Sequence, residues 1–586
     1  MIKTKIICTL GPATDKPGVL REMIKSGMNV ARLNFSHGDH EEHARRIALV
    51  KQLREEMHLP IAILLDTKGP EVRTGDFADP PVMLTAGETF TLTTRQVVGD
   101  ETQVSITYKD LPKDVKPGAR ILVDDGLIEL EAKRVTEEDI ICQVINGGAL
   151  SNKKSINLPG IMLNLPYISE KDEADIIFGV EQGVDFIAAS FCRSAYDVLD
   201  VKRILEQHHG ENINVIAKLE NSDGVRNLEE ILKVSDGIMV ARGDLGVEIP
   251  FDELPIVQKK MIKRSLAMGK RVITATQMLD SMIKNPRPTR AEVSDVANAV
   301  YDGTSAIMLS GETAMGAYPV ESVRTMARIA CRAESDIDYI KRFNQQKQDL
   351  NMSVTNAISH ATCTTAHDLS AVAIITFTIS GRTAKRISSF RPACPIIACT
   401  TLKQVYHQLA LSWGVTPALC TEMTATDEMF DQAVESAVAT GQVKNGDLLV
   451  ITAGIPIGVT GNTNILKVHI VGNVLVKGLG VNRLSVSGQL CVAHSAQEVQ
   501  ENFNEGDILV VPRADERMMP ALKKARAIIT EQEGMTNLAA IVGLTRDIPV
   551  ICGAENATCI LKSGTVVTVD AASGQVYSGV TRTQGQ

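Results

Sequence analysis

Aromatic residues make up only 4% of this 586-residue chain, and Trp413 is its single tryptophan. Stacking platforms for single-stranded nucleic acid are therefore not expected. Positive charge is outnumbered, with 61 Lys and Arg against 70 Asp and Glu. With a net charge of -9 and an isoelectric point of about 5.8, a phosphate-backbone surface is not the main business of the chain. No apolar run approaches the roughly 18 residues that a membrane span needs. The opening MIKTKIICTL is too short, and too soon broken by Gly11-Pro12, to read as a secretory leader. The 11 cysteines form no C-x-x-C pair, and Cys394 and Cys399 have no second pair at zinc-site spacing. Buried thiols in a reducing cytoplasm are the expectation. Neither G-x-x-x-x-G-K-[ST] nor a G-x-G-x-x-G after a strand occurs, so P-loop, protein-kinase and Rossmann sites have no support. Histidine stops at His494.

What is present is an alternation of strands and helices. The length exceeds one compact core and predicts three or four domains. β-branched runs at 5–10, 29–33, 61–66, 185–190, 214–219, 237–241, 271–275 and 306–309 read as strands. Helical patterns follow them at 16–26, 40–57, 170–182, 196–208, 224–234, 255–268, 290–301 and 320–334. Eight βα units predict an α/β fold of the TIM (β/α)8 barrel type. Short alternating runs between about 70 and 167, with turn signals at Lys116-Pro-Gly118, Asp124-Asp-Gly126 and Asn146-Gly-Gly148, predict a small β-barrel or sandwich inserted in a βα loop. An insert there is placed to act as a lid. After a polar stretch at 343–350, strands at 371–377, 396–399, 448–453 and 467–471 predict a further α/β unit. A glycine patch at 471–480 leads to a last segment with strands at 510–512, 527–529, 549–552 and 565–570. The expected domains are 1–69 with 168–342, 70–167, 343–472 and 473–586.

Barrel enzymes place reactive side chains at the carboxyl ends of their strands. Here the second strand runs into Arg32, Asn34, Ser36 and His37, and the third into Asp66, Thr67, Lys68, Glu71 and Arg73. Ser190 ends the fourth, Lys218, Glu220 and Asn221 the fifth, and Arg242 and Asp244 the sixth. Thr276 and Gln277 end the seventh, and Ser310 and Glu312 the eighth. Lys218 and Glu220 are two apart, so both face one way and pair a charge stabiliser with a metal ligand, or else simply neutralise each other. Glu220 and Asp244 lie on adjacent strands, a spacing that suits two oxygen ligands to one hard cation such as Mg2+. His37, His40 and His43 are read as polar helix-start residues, with Ser36 as a possible cap, in preference to a metal set.

These strand-end motifs resemble pyruvate kinase. MNVARLNFSHG at 28–38, LDTKGPEVRTG at 65–75, IAKLEN at 216–221, MVARGDLGVE at 239–248, TATQML at 274–279 and MLSGET at 308–313 occur in the family's order, and the resemblance covers roughly 1–472. It implies a cytoplasmic, typically homotetrameric glycolytic enzyme that transfers phosphoryl from phosphoenolpyruvate to ADP, giving pyruvate and ATP. By the same resemblance, Glu220 and Asp244 bind Mg2+ (or Mn2+), and Asn34, Ser36, Asp66 and the Thr67 carbonyl bind K+. Lys218 stabilises charge on the phosphoryl group and the enolate oxygen, Arg32 and Arg73 grip phosphates, and Thr276 joins the proton relay. Ser190 and the amides near Gly243 and Asp244 contact substrate, while Asn34, His37, Arg73 and Lys171 bind nucleotide. Glu71 stands where K+-dependent members have Glu and independent members Lys. TISGRTA at 378–384 opens a helix after an apolar strand, which is either a phosphate cradle or ordinary helix capping. In the family this loop, with GIPIG at 454–458, takes a phosphorylated activator, and that points to Thr378, Ser380, Gly381, Arg382 and Thr383.

The final segment is longer than the usual family chain. VVPRAD at 510–515, EGMTNLAAIVG at 533–543 and IPVICG at 548–553 resemble the swivelling phosphohistidine domain of phosphoenolpyruvate-using synthases and dikinases. Its catalytic histidine falls at Leu538, so phosphohistidine chemistry is excluded and a packing or oligomer-stabilising role is expected. Three rivals stand beside the main reading. They are a dikinase-like or synthase-like enzyme, which needs the missing histidine; a barrel aldolase using Lys218 as Schiff base; and a metabolite-sensing scaffold with a fossil site.

Overall fold

The computed structural model describes residues 2–161, 163–345, 353–421, 426–444, 446–455, 463–472 and 474–580. The chain divides into two compact units. The first comprises Met1–Asn356, Thr378–Ala393 and Thr400–Leu419, and the second Ala357–Phe377, Cys394–Cys399 and Cys420–Gln586.

The first unit is built on a closed barrel of eight parallel strands: β1 (Lys5–Thr9), β2 (Val30–Asn34), β3 (Ala62–Asp66), β4 (Phe186–Ala189), β5 (Asn214–Leu219), β6 (Gly237–Ala241), β7 (Arg271–Ala275) and β8 (Ala306–Leu309). Each strand neighbours the next in sequence, and β8 closes on β1 with Lys5 opposite Ala306. Side chains alternate across the sheet, so the strands build two cores. Ile7, Val30, Leu64, Ile216, Met239 and Ile273 fill the lumen. Ile6, Cys8, Leu33, Ile63, Val215 and Val240 pack outward against the helical ring. Sequence periodicity located all eight strands to within a residue or so at each end.

The helices are also close to expectation, with two differences. The helix His40–Glu56 is capped by Asp39, whose side chain accepts the Glu42 N–H, and not by Ser36. Ser36 instead follows Asn34 in a tight turn, its N–H donating to Asn34 Oδ1. The stretch expected as one helix at 224–234 is two, Ser222–Arg226 and Leu228–Val234, separated at Asn227. The Asn227 amide donates to the Arg193 carbonyl at 2.8 Å, a tertiary bond that no local pattern encodes.

The insert carries a seven-stranded sheet that begins at Val72–Arg73 and ends at Ser155–Asn157, with a separate two-stranded ribbon, Val82–Leu84 with Gly148–Leu150. Its core is its own, built on Phe90, Leu92, Ile121, Leu130, Ile140 and Val144.

In the second unit, Ala373–Phe377 pairs in parallel with Ile396–Thr400 and Leu448–Gly454, and Thr463–Ile470 joins the last of these antiparallel. The C-terminal part is an eight-stranded sheet in which Ser485–Val492, Ile508–Val511, Ala527–Thr530 and Val550–Cys552 run parallel. Four of its strands were not legible: Val474–Lys477, Leu479–Gly480, Ser485–Val492 and Gln575–Ser578. They are short or glycine-bearing, so tertiary pairing and not propensity makes them strands. Among the described residues no helix is long and apolar enough to cross a membrane.

Candidate active site

Strand register brings the candidate residues together. β2 and β3 align Asn34 with Asp66, and β4 aligns Ala188 with Asp66, so Ser190 follows beside it. Asp66 is fully buried and lies at the centre. Its Oδ2 accepts from Arg32 Nε at 2.6 Å, and its Oδ1 accepts from Lys218 Nζ at 2.9 Å and from Ser190 Oγ at 3.1 Å. Arg32 is further held by Thr9 Oγ1 at 2.9 Å. Burial alone would raise the Asp66 carboxyl, but Arg32 and Lys218 outweigh it and hold the group below the ordinary carboxylate range.

Lys218 is three-sided. Besides Asp66, its Nζ lies 2.6 Å from Ser190 Oγ and 3.1 Å from Glu220 Oε1. Burial works against its charge, yet Asp66 and Glu220 hold the ammonium above its usual range. It is a fixed cation. Ser190 Oγ also lies 2.7 Å from the Thr67 carbonyl, so its single hydroxyl proton has two acceptors within reach, that oxygen and Asp66 Oδ1. Gly69 makes this approach possible. Its φ is +72°, and a Cβ there would stand 2.8 Å from Ser190 Cβ.

Glu220 accepts the Phe191 N–H at 2.6 Å. Burial, with Asp244 and Asp66 nearby, pushes its carboxyl up to about 7 although Lys218 opposes this. Asp244, hydrogen-bonded to Glu220, is also raised by burial and by Asp125 and Glu71, again with Lys218 opposing. Two touching carboxylates that lean toward holding a proton are a negative site that Lys218 compensates only in part. A hard divalent cation neutralises such a pair, so the residues fit Mg2+ or Mn2+ with substrate and water filling the remaining positions.

Just past the end of β7, Thr276 has φ +69°, a strained conformation for a β-branched residue. Its Oγ1 accepts the Gly243 N–H at 2.8 Å and donates to the Ala275 carbonyl at 2.6 Å. Arg242 holds this turn, giving Nη2 to the Thr276 carbonyl at 2.6 Å and Nη1 to Asp295 at 2.7 Å. Sequence had placed Arg242 only at a strand end. Its clamp on Thr276 spans 34 residues and leaves no local signal. Phe191, Asp125 and Asp295 were missed for the same reason.

The remaining candidates spread around the mouth. Arg73 forks onto Glu71 at 2.8 and 3.1 Å and gives Nη1 to the Lys153 carbonyl. Lys171 donates to the Phe35 carbonyl at 2.8 Å, and His37 is exposed. His43 stacks on Phe35, and His40 pairs with Asp175 at 2.7 Å, so the three histidines do not converge. Asn34 and Ser36 are partly open, whereas Asp66 and the Thr67 carbonyl already have protein partners. Carboxylate and carbonyl oxygens keep further lone pairs for a monovalent cation.

Elsewhere, Gly381 (φ +74°) precedes the helix Arg382–Ser389. Its Thr378 and Thr383 are buried, Ser380 is half-buried and Arg382 is exposed. Of GIPIG, residues 456–458 lie outside the described residues. Leu538 opens the helix Leu538–Arg546 behind the Asn537 cap and packs on the apolar core of the C-terminal sheet. An apolar, packed side chain thus stands where the resemblance would have a reactive one.

The family description "Pyruvate kinase, barrel domain" matches residues 1–323, "Pyruvate kinase, alpha/beta domain" 356–469 and "PEP-utilising enzyme, mobile domain" 503–574. A protein of Geobacillus stearothermophilus named pyruvate kinase is 51% identical over 579 residues, covering 98% of this chain and 99% of the relative. Proteins of that name from Bacillus licheniformis (50%) and Staphylococcus aureus strain MRSA252 (47%) each align over 581 residues, 99% of both chains. Together with the closed barrel and the charged residues at its mouth, these matches define a TIM-barrel phosphotransferase. The chain belongs to the pyruvate kinase family.

Proposed function

We propose that the chain transfers the phosphoryl group of phosphoenolpyruvate to ADP, giving pyruvate and ATP, with Mg2+ (or Mn2+) and K+ as cofactors. The observation that carries this reading is Lys218 fixed between Asp66 and Glu220, with Glu220 in turn against Asp244.

Phosphoryl transfer needs positioning and charge neutralisation more than covalent chemistry. Glu220 and Asp244 would hold the divalent ion, which supplies positive charge to the phosphoryl oxygens. Asn34, Ser36, Asp66 and Thr67 would hold K+. Lys218 stabilises the negative charge that develops on the transferred group and on the enolate oxygen. Arg32, oriented by Asp66 and Thr9, presents its free guanidinium edge to phosphate, and Arg73 does so from the insert. Thr276 Oγ1 would serve the proton relay toward the enolate carbon, and Gly243 and Asp244 would offer amides to the substrate carboxylate. Asn34, His37, Arg73 and Lys171 line the nucleotide side. An ammonium kept protonated by two carboxylates is a poor Schiff-base nucleophile, which weighs against an aldolase. We further read Thr378, Ser380, Gly381, Arg382 and Thr383 as the seat of a phosphorylated activator, and the working enzyme as a cytoplasmic homotetramer.

The test is a lactate-dehydrogenase-coupled assay with phosphoenolpyruvate, ADP and Mg2+, with and without K+. Pyruvate is expected with both cations present, and no pyruvate under any cation condition refutes the reading.

A further inference from the structure

Glu248 ends the seven-residue helix Arg242–Glu248, which starts directly from β6 and carries Gly243 and Asp244. Its position is poor for an anion. A helix C-terminus disfavours negative charge, burial raises the carboxyl, and Asp223 and Asp244 add to the rise. What offsets these costs comes from the insert. Asn157 Nδ2 donates to Glu248 Oε1 at 3.1 Å across 91 residues, and the Leu158 N–H donates to the same carboxylate. Asn157 closes the last strand of the insert, Ser155–Asn157, which pairs with Val72–Arg73 at its beginning. The turn Asp124-Asp125-Gly126 also comes close to the same helix. Gly126 has φ +81°, and a Cβ there would lie 3.6 Å from Val247 Cγ1. The cleft beneath is lined by Glu71, Asn157, Phe191, Asn221, Asp244 and Glu248.

We propose that the Asn157–Glu248 contact is the latch that holds the insert over the barrel mouth, and that Glu248 is a positioning residue for the transfer step. The helix has under two turns, so anchoring its last residue constrains the first turn, where Gly243 and Asp244 sit. The latch therefore couples two events, closure of the insert and placement of Asp244. Closure also keeps water from the phosphoryl group. This inference rests on the phosphoryl-transfer reading above.

Asn157→Asp sets carboxylate against carboxylate and should break the latch. Glu248→Gln combined with Asn157→Asp restores a donor–acceptor pair with the polarity reversed. The expected result for N157D is a fall in kcat/KM for phosphoenolpyruvate of about tenfold or more, most of it in kcat. Phosphate release from phosphoenolpyruvate without ADP should rise, and backbone hydrogen exchange should quicken at 155–158 and 245–248. The N157D/E248Q double variant should recover most of all three. Glu248→Ala, which removes the acceptor without adding repulsion, should move in the direction of N157D and serves if N157D does not fold. Wild-type kinetics and exchange in the single variants overturn the latch, as does a double variant no better than N157D. A wild type that makes no pyruvate instead refutes the underlying activity.

Discussion

Lys218 Nζ lies 2.9 Å from Asp66 Oδ1, a contact between residues 152 positions apart that joins β3 to β5 across the barrel mouth. With Glu220 at 3.1 Å, the ammonium is held by two carboxylates, yet it retains the charge that a phosphoryl oxygen would meet.

Lys218→Met should therefore lower kcat by about 10²–10³-fold or more, the usual cost of removing a preorganised charge stabiliser. Arg32 still neutralises Asp66, so the fold should persist and substrate should still bind. Coupled kinetics alongside calorimetric binding separate these effects. Retained turnover would refute the assigned role.

Glu71 forks onto Arg73, the candidate phosphate grip of the insert. Glu71→Lys places a fixed cation at that position and should relieve the K+ requirement. The ratio of rates with and without K+ is the readout, and an unchanged ratio counts against the inference.

Gly69→Ala should be costly, because its φ of +72° is already unfavourable for alanine and its Cβ would press on Ser190 Cβ at 2.8 Å. A loss of about 1–3 kcal/mol in chemical denaturation is expected. Activity should drop with it, since Ser190 Oγ is one of the three supports of Lys218. A variant as stable and active as the parent would show that the turn relaxes freely.

Asp185 and His407 meet at 3.8 Å beneath β4, and their titrations oppose each other. Burial raises the Asp185 carboxyl from 3.8 to about 7 against the pull of Arg54 and the Ile63 N–H. Burial, with Arg54 and Lys403, lowers His407 from 6.5 to about 3, so the contact is not an ion pair at neutral pH. Between about pH 4 and 7 folded Asp185 holds a proton that the unfolded chain has lost, so its contribution to stability falls as pH rises. Between about pH 3 and 6.5 the unfolded chain protonates His407 and the folded chain does not, so this contribution rises with pH. The two cancel from about pH 4 to 6.5. Asp185→Asn should therefore make stability rise with pH across that window, and His407→Gln should make it fall, each by roughly 1.4 kcal/mol per pH unit. Denaturation midpoints at several pH values test this, and slopes like the parent's would exclude the paired titration.

The barrel was legible because its evidence is local. Short, continuous apolar runs and βα alternation mark each strand, as expected for strands buried on both faces, and the reactive residues follow at fixed offsets, as Glu220 follows Lys218. The C-terminal sheet was read only in half, because strands such as Ser485–Val492 draw their stability from partners remote in sequence. Ser36 was read as a cap where Asp39 serves, since Ser, Asp and Asn compete for that position and only the backbone geometry selects one.

The amino-acid sequence by itself determined the barrel, the inserted β-region, the family, and the identity of the charged residues at the strand ends. It also determined that no histidine stands at 538. Tertiary structure alone decided that Asp66 neutralises both Arg32 and Lys218, and that the Asn157 amide reaches the Glu248 carboxylate. The reason is physical. Strand and helix periodicity comes from backbone geometry within a few residues. Ion pairing and burial depend on distances between segments as many as 152 residues apart, which only the closed barrel sets.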